Sequence, residues 1–458
     1  MNKSKITNYT IIFLLLFFSC NKNQEEILLS DIDLDKIRNS YNEYSYKNSH
    51  IAEYIYDQNK LHKFDIWLTN ENLSKIDADP AAEQYVEGSL VFEDEIISKI
   101  GIRYKGSIGA WVGCLEGEDW SNPSGAKKCP KLSLKLKINW KGSDNKFYGL
   151  KKLQFHSQNL DPSKMHERLG YWMYRNFNVP APRSNHAIIY INGEFSGLYA
   201  NTEQIDSEFC NENFTNGDGN LYKEVWPVNN YNNATSEDRL KDALKTNEEI
   251  SDVSKMKNFG IEVETASDNE IHSVISKWID TEQFLRTIVV DRRIANDDGF
   301  LHWYCGGNGY CNNHNYYWYE DPILNNVQLI PWDLDNAFEN LVTNNNPVTP
   351  IKDKWYEKSS NCTSFSFGQA GLYQRSASCD KIIGSYTIYK KQYDSLDNVF
   401  KNNFFNMSQI DKLLDSWSNQ IASSVEMAHE KYQNKEINIS KWKSEVLKLK
   451  SNIKNSLN

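Results

Sequence analysis

Two segments of the chain set carboxylates and an asparagine at the ends of short, strongly apolar runs. The first reads Asn296-Asp297-Asp298-Gly299 and, after an interruption, His314-Asn315-Tyr316-Tyr317-Trp318-Tyr319-Glu320; the second reads Leu329-Ile330-Pro331-Trp332-Asp333-Leu334-Asp335-Asn336. Carboxylates in such surroundings are costly to bury unless their oxygens meet a cation. Hard oxygen donors suit a divalent ion such as Mg2+ or Mn2+, which takes one or two carboxylates and keeps several waters. The chemistry implied is a metal site beside a reacting phosphate.

A second set is basic. Lys131, Ser133, Lys135 and Lys137 alternate with Leu132, Leu134, Leu136 and Ile138. A period of two puts the lysines on one strand face and the aliphatic residues on the other. Lys131 and Lys135 of that face could look into a cleft. A solvated lysine face on an edge strand fits the same pattern. Lys105 sits where a strand runs into Gly106-Ser107, a turn that could cover phosphates or simply close a hairpin. Lys223 is a further basic residue with no assigned place.

These residues need elements to hold them. Period-two alternation predicts strands around Phe64–Leu68, Ile100–Tyr104 and Lys131–Ile138. Asp161 as N-cap and Pro162 at the first position predict a helix carrying Glu167 and ending before Pro180. Ala187–Ile191, Asn192-Gly193 and Phe195–Ala200 read as a hairpin. Beyond Phe214 the pattern is mainly helical, over roughly 236–257, 268–279, 281–295 and several segments past 390, interrupted by a strand pair around 315–332. This order predicts an α+β, two-lobed molecule with a β-rich N-terminal half (59–215) and a helical C-terminal half (216–458).

The chain has 458 residues, 40% hydrophobic and 24% charged, ordinary values for a folded protein. Its net charge of −10 leaves no basic excess to displace counterions, so nucleic acid is not an expected partner. Aromatic residues make up 13% of the chain, which fits either a glycan-lined cleft or an aromatic core.

The N-terminus reads as a targeting segment. Lys3 and Lys5 precede the apolar run Ile11–Phe18 and Ser19-Cys20-Asn21. That run is far shorter than the roughly 20 residues of a spanning helix. A small residue before Cys20 resembles a bacterial lipoprotein signal, in which residues 1–19 are removed and a diacylglycerol on the Cys20 thiol anchors the protein to a membrane. Phe17-Phe18 is bulkier than usual there, and an ordinary cleaved signal peptide is the alternative. Both place the protein outside the cytosol, in the periplasm or at the cell surface. Residues 20–58, polar and rich in Asn and Tyr, read as the lipidated cysteine and its tether. Close spacing pairs Cys114 with Cys129, Cys305 with Cys311 and Cys362 with Cys379 as loop-closing disulfides, leaving Cys210 over.

Taken in order, several elements resemble the CotH family, named for spore coat protein H, whose members are atypical protein kinases. Gly101-Ile102-Arg103-Tyr104-Lys105-Gly106-Ser107 resembles a family turn, and Lys131–Lys137 a family strand. Val179-Pro180-Ala181-Pro182-Arg183 resembles another family element, with Asn178 standing where the family has glycine. Asn192-Gly193-Glu194, Gly197-Leu198-Tyr199, Glu203–Asp206 and Asn220–Lys223 follow before the acidic segments. The resemblance covers residues 62–345, with a fainter helical remainder to 430. It implies a kinase-like fold and transfer of the γ-phosphate of ATP, with Mg2+ or Mn2+, to Ser or Thr of a protein. Asp333 and Asn315 are then metal ligands, and Asp298 orients or deprotonates the acceptor hydroxyl, a role Asp297 could share. The resemblance also implies a cleft-facing lysine that neutralises the nucleotide phosphates, Lys131 or Lys135, with Glu167 on the following helix as its orienting carboxylate. Asp335 becomes a second ligand or a structural cap. Sixteen residues (299–314) separate Asp298 from Asn315, more than in the common kinase loop. The insert around Cys305 and Cys311 would either let the two ends meet or occlude the site.

ATP is scarce outside the cytosol, so a second reading is a non-catalytic surface or envelope module on the same fold. A third, a glycosidase with Asp298 and Asp333 as its carboxylate pair, leaves Asn315 and the lysine strand unexplained.

Overall fold

The computed structural model describes residues 51–457 apart from positions 94, 112, 118, 120, 121, 308, 343–354, 357–361 and 368–371. The leader, Cys20 and tether residues 21–50 lie outside the described residues.

The N-terminal half is a closed barrel. Its strands are β1 (His62–Trp67), β2 (Val86–Phe92), β3 (Glu95–Tyr104), β4 (Leu134–Lys137), β5 (Lys152–His156), β6 (Ser184–Ile191) and β7 (Glu194–Thr202), in the order β1-β2-β3-β4-β5-β7-β6. All neighbours are antiparallel except β1 and β6, whose parallel pairing closes the ring. Alternation sorts the faces: Phe64, Ile66, Leu90, Phe92, Ile102, Leu134, Leu136, Leu153 and Phe155 are buried together in one core. The Asn192-Gly193 turn of the β6–β7 hairpin has φ of 51° and 77°, the left-handed pair such two-residue turns require.

The C-terminal half holds helices around two small sheets. One has the order β12-β11-β8, made of β8 (Asn220–Lys223), β11 (Tyr316–Glu320) and β12 (Val327–Pro331). The other has the order β10-β9-β14-β13, made of β9 (Trp303–Cys305), β10 (Cys311–Asn312), β13 (Phe365–Phe367) and β14 (Leu372–Arg375). A large core runs beneath both sheets and joins Leu169, Trp226, Phe284, Trp303, Trp318 and Leu334 to Trp417 and Trp442 of the last two helices. Those helices, Met407–Tyr432 and Ile439–Ser456, form a hairpin that bridges the halves. Tyr432 OH donates to Phe195 O on β7 (3.0 Å), and Trp442 Nε1 donates to Ser163 O ahead of the Glu167 helix (2.8 Å).

Several expectations need correction. The Glu167 helix starts at His166, because Asp161 spends its carboxylate on the Ser163 amide (2.8 Å), the Ser163 hydroxyl (2.6 Å) and the His166 amide (2.9 Å) in a tight turn before it. The tether stops sooner than residue 58. Ile51–Ile55 is a helix, Ile55 and Tyr56 are buried, and Gln58 accepts from Arg168 Nε (2.9 Å). The helix Ser207–Asn213 buries its apolar side on the β12-β11-β8 sheet, while its Glu208 pairs with Lys146 (2.9 Å) and Lys151 (2.8 Å) beside β5 of the barrel. The span 236–257 is broken into Glu237–Ala243 and Ser254–Thr265. Strands β9, β10, β13 and β14 carried too short a pattern to be read. Asn178 takes φ 58°, a left-handed position that asparagine tolerates after a helix where glycine is usual.

All three disulfides are present, Cys114–Cys129, Cys305–Cys311 and Cys362–Cys379, and Cys210 is a buried free thiol. They suit an oxidising compartment. No helix among the described residues is long and apolar enough to cross a membrane.

Trp442 is 1% exposed and ties the final hairpin to the loop before Glu167. Trp442→Ala should lower unfolding free energy by about 3–5 kcal/mol, read from urea titrations of both proteins; an unchanged midpoint would show that the hairpin is not part of the cooperative unit.

Candidate active site

Strand register assembles the acidic side. Tyr316 pairs with Pro331, and one step further the Trp332 amide donates to Asn315 O (3.0 Å), so Asp333 emerges beside Asn315. Both Asn315 (φ 60°) and Asp333 (φ 55°) adopt the left-handed conformation that Asn and Asp tolerate best. Asn315 Nδ2 donates to the carbonyl and to Oδ2 of Asp298, each at 2.9 Å. The loop carrying Asp298 is fixed from behind: Asn296 Nδ2 and Arg292 Nε donate to the buried Asp291 carboxylate, each at 3.0 Å. A Cβ on Gly299 would lie 2.3 Å from Asn296 Nδ2, so this turn has room only for glycine.

The insert therefore does let its ends meet. Cys305 pairs with Cys311 across β9 and β10, and β9 continues into the second sheet through β14, which takes up the extra length.

Strand register also assembles the basic side, on the outer face of the barrel. Arg103, Lys135 and Gln154 form one row across β3, β4 and β5. Lys105 continues the ladder, its amide donating to Ser133 O (2.9 Å). Lys105 Nζ donates to Gln154 Oε1 (3.1 Å) and to His156 Nε2 (2.8 Å), and His156 Nδ1 lies 2.6 Å from Glu167 Oε1. Four residues on, along the same helix, the Tyr171 hydroxyl accepts the Asp333 amide proton (3.0 Å). The Glu167 helix thus touches both sides of the site.

The electrostatics show how close the groups stand. The charge of Asp333 acts on Lys105, Glu167, Asp298 and Asp335 alike. Burial, reinforced by Asp333, pushes the carboxyls of Glu167 and Asp335 well above the usual carboxylate range. Burial likewise raises Asp298, opposed by His314 and helped by Asp333. Burial lowers Lys105 to about 8, and burial with Lys152 and Lys105 lowers Lys135 to about 7. Glu167 Oε2 is buried without a hydrogen-bond partner.

Not every candidate joins this cluster. Lys131 is a correction: β4 begins only at Leu134, and Lys131 Nζ instead donates to Leu198 O (2.8 Å) and pairs with Glu436 (3.3 Å) in the final hairpin. Asp297 turns to Asn340 and to His302 (3.6 Å), and its carbonyl accepts from the Tyr304 hydroxyl (3.1 Å). The Asp335 carbonyl accepts from His166 Nδ1 (2.8 Å), so its backbone caps the Glu167 helix region while its carboxyl stays with the acids. Glu167 faces neither strand lysine first proposed for it; it reaches Lys105 through His156. Gln154, His156 and Tyr171 were not among the sequence candidates, yet Gln154 and His156 alternate with Leu153 and Phe155 by the same period of two that marks the lysines.

Asp333, Asn315 and Asp335 fit a hard divalent ion. The donors are oxygens, Asn315 turns its amide nitrogen to Asp298 and so keeps Oδ1 for another partner, and Asp335 is surrounded by other carboxyls while Lys105, His166 and His314 offset only Glu167 and Asp298. Among the described residues no three His, Cys, Asp or Glu side chains form a preassembled cage. An ion of the Mg2+ class, which retains water, does not need one.

The family model described as CotH kinase protein matches residues 102–457. The chain belongs to the CotH family. The match begins within β3 and runs past residue 430, beyond the motifs that carry the resemblance, so the final helical hairpin is part of the CotH unit. The chain is 22% identical over 195 residues to the inner spore coat protein H of Bacillus subtilis strain 168, covering 41% of this chain and 50% of that protein. It is 23% identical over 168 residues to the inner spore coat protein H-like protein of the same organism, covering 37% and 46%. The chain spans about half the length of the curated relatives it matches. Among solved structures, a chain of the Shewanella oneidensis MR-1 HipA and HipB toxin–antitoxin complex with operator DNA aligns over 66% of this chain and 56% of its own, at 12% identity and a TM-score of 0.23. That score is too low for the likeness to bear on the fold.

The raised Asp335 carboxyl has a stability consequence. A folded-state pKa above the ordinary 3.8 makes stability fall as pH rises from about 4 through the folded value. Asp335→Asn removes that decline, so the variant should melt higher than the parent at pH 7–8 and equal to it near pH 4. Calorimetry across that range checks it; a variant destabilised equally at every pH would show that the carboxylate is held by favourable bonds instead.

Proposed function

We propose that this chain is a protein kinase of the CotH type, transferring the γ-phosphate of ATP to Ser or Thr of an exported protein with Mg2+ or Mn2+. The observation that carries this reading is the meeting of Asp298, Asn315 and Asp333 opposite Lys105, with Lys105 linked to a helix glutamate. Phosphoryl transfer needs little covalent help and depends on positioning and charge neutralisation. Asp333 and Asn315, with Asp335 beside them, would hold the ion, which would neutralise phosphate charge. Lys105 and Lys135 present amines to the phosphates. Burial keeps them at about 8 and about 7, and an arriving dianion restores their full charge. Asp298 accepts the proton of the acceptor hydroxyl, and its raised pKa brings it nearer the working pH of a general base. Asn315 orients Asp298 through its two hydrogen bonds. The disulfides and the leader support a location outside the cytosol, with the membrane reached through a lipid on Cys20.

Thermal unfolding against ATP, with and without Mg2+, tests the reading. Ligand at 100 times its dissociation constant should stabilise the protein by about 2.7 kcal/mol, and Asp333→Ala should abolish the metal-dependent part. Asp298→Asn should keep ATP binding while phosphate transfer to Ser or Thr falls about 10²–10⁴-fold. No shift at saturating Mg-ATP, with the fold intact, would overturn the kinase assignment in favour of a surface-binding module.

A further inference from the structure

No direct ion pair joins Lys105 and Glu167 among the described residues; an imidazole stands between them. Protein kinases pair the corresponding lysine and helix glutamate directly. His156 ends β5 at 8% exposure, 2.8 Å from the amine and 2.6 Å from the carboxylate. Its ring also meets Trp332 edge-on, with centroids 5.7 Å apart. Trp332 directly precedes Asp333, so His156 is packed against the acidic segment as well.

Donor counting sets the protonation. An ammonium has three protons to give and accepts none, so Nε2 accepts from Lys105. A neutral imidazole has one acceptor nitrogen, so Nδ1 carries the proton and donates it to Glu167. Gln154 Oε1 takes a second ammonium proton, and Gln154 is itself held by its amide to Glu203 O (3.1 Å). Two of the three protons are committed to side chains rooted in β5, and the third has a defined direction.

We propose that His156 is a positioning residue that couples Lys105 to Glu167 as a neutral, Nδ1-protonated bridge and aims the remaining ammonium proton at a nucleotide phosphate. This rests on the kinase reading above. The bridge sets Lys105 an imidazole's width from the helix, and it keeps the Glu167 carboxyl from meeting the ammonium directly. Burial and the Lys105 charge hold His156 well below the usual histidine range, so the ring stays neutral.

Nitrogen NMR of the histidine-labelled full chain without nucleotide decides the bridge independently of activity. The His156 ring should read as the neutral Nδ1–H tautomer from about pH 5 to about pH 8. An Nε2–H tautomer or an imidazolium in that range overturns the proposal. In the second arm, His156→Ala should weaken ATP binding about tenfold, and added imidazole should restore part of it. Combined with Glu167→Gln it should cost no more than the larger single change. Additive losses without imidazole rescue overturn the coupling and leave His156 a packing residue. If the parent protein binds no ATP, the kinase reading and the phosphate-aiming role fall together, while the tautomer still decides whether the bridge exists.

Discussion

Asp333 carries a charge that three other carboxyls must accommodate, one two residues on and two from distant stretches of the chain. Asp298, Asp335 and Glu167 all lie within its influence and all are pushed up by burial. Such crowding has no packing rationale, since apolar residues would fill the same space at lower cost. It is sustained by backbone and helix contacts that do not depend on charge: the Trp332 amide on Asn315, the Asp333 amide on Tyr171 and the Asp335 carbonyl on His166. The fold holds the acids together by their main chains and leaves their oxygens for a cation.

The same helix that steadies Asp333 carries Glu167, so the acidic and basic sides are not independent. His166, Glu167 and Tyr171 reach the Asp335 carbonyl, the His156–Lys105 chain and the Asp333 amide respectively. Behind that helix, Trp442 holds Ser163 and Lys131 holds Glu436, which ties the final hairpin to the N-terminal half. Lys131 is thus a structural cation: its buried pairing with Glu436 fastens the barrel to the last helices. A shift of the hairpin would move the Glu167 helix and with it both sides of the site.

Local pattern served well where one face of an element is buried and the other is not. Alternation placed β1, β3 and β4, the Asn192-Gly193 turn marked its hairpin, and cysteine spacing matched the three disulfides. It failed where a short polar side chain had two possible uses. Asp161 can cap a helix or tighten a turn, and the contacts of Ser163 and His166 selected the turn. It failed again for β9, β10, β13 and β14, strands of two to four residues that acquire partners only once distant segments meet.

The site divides along the same line. The residue types that meet there, Asp298, Asn315 and Asp333 in order after apolar runs, were legible from the chain alone, because hard oxygens beside buried strands have few purposes. Which lysine faces them was not. Lys131 and Lys135 share an alternation pattern, but the ladder of β4 starts between them, so only Lys135 stays in the row with Arg103 and Gln154. Lys105 and His156 lie 51 positions apart and become neighbours through β4, which pairs with the strands of both. Composition and spacing determine which chemistry the chain can hold; only the closing of the barrel decides which side chains share a face, because register is set by long-range pairing that no local window contains.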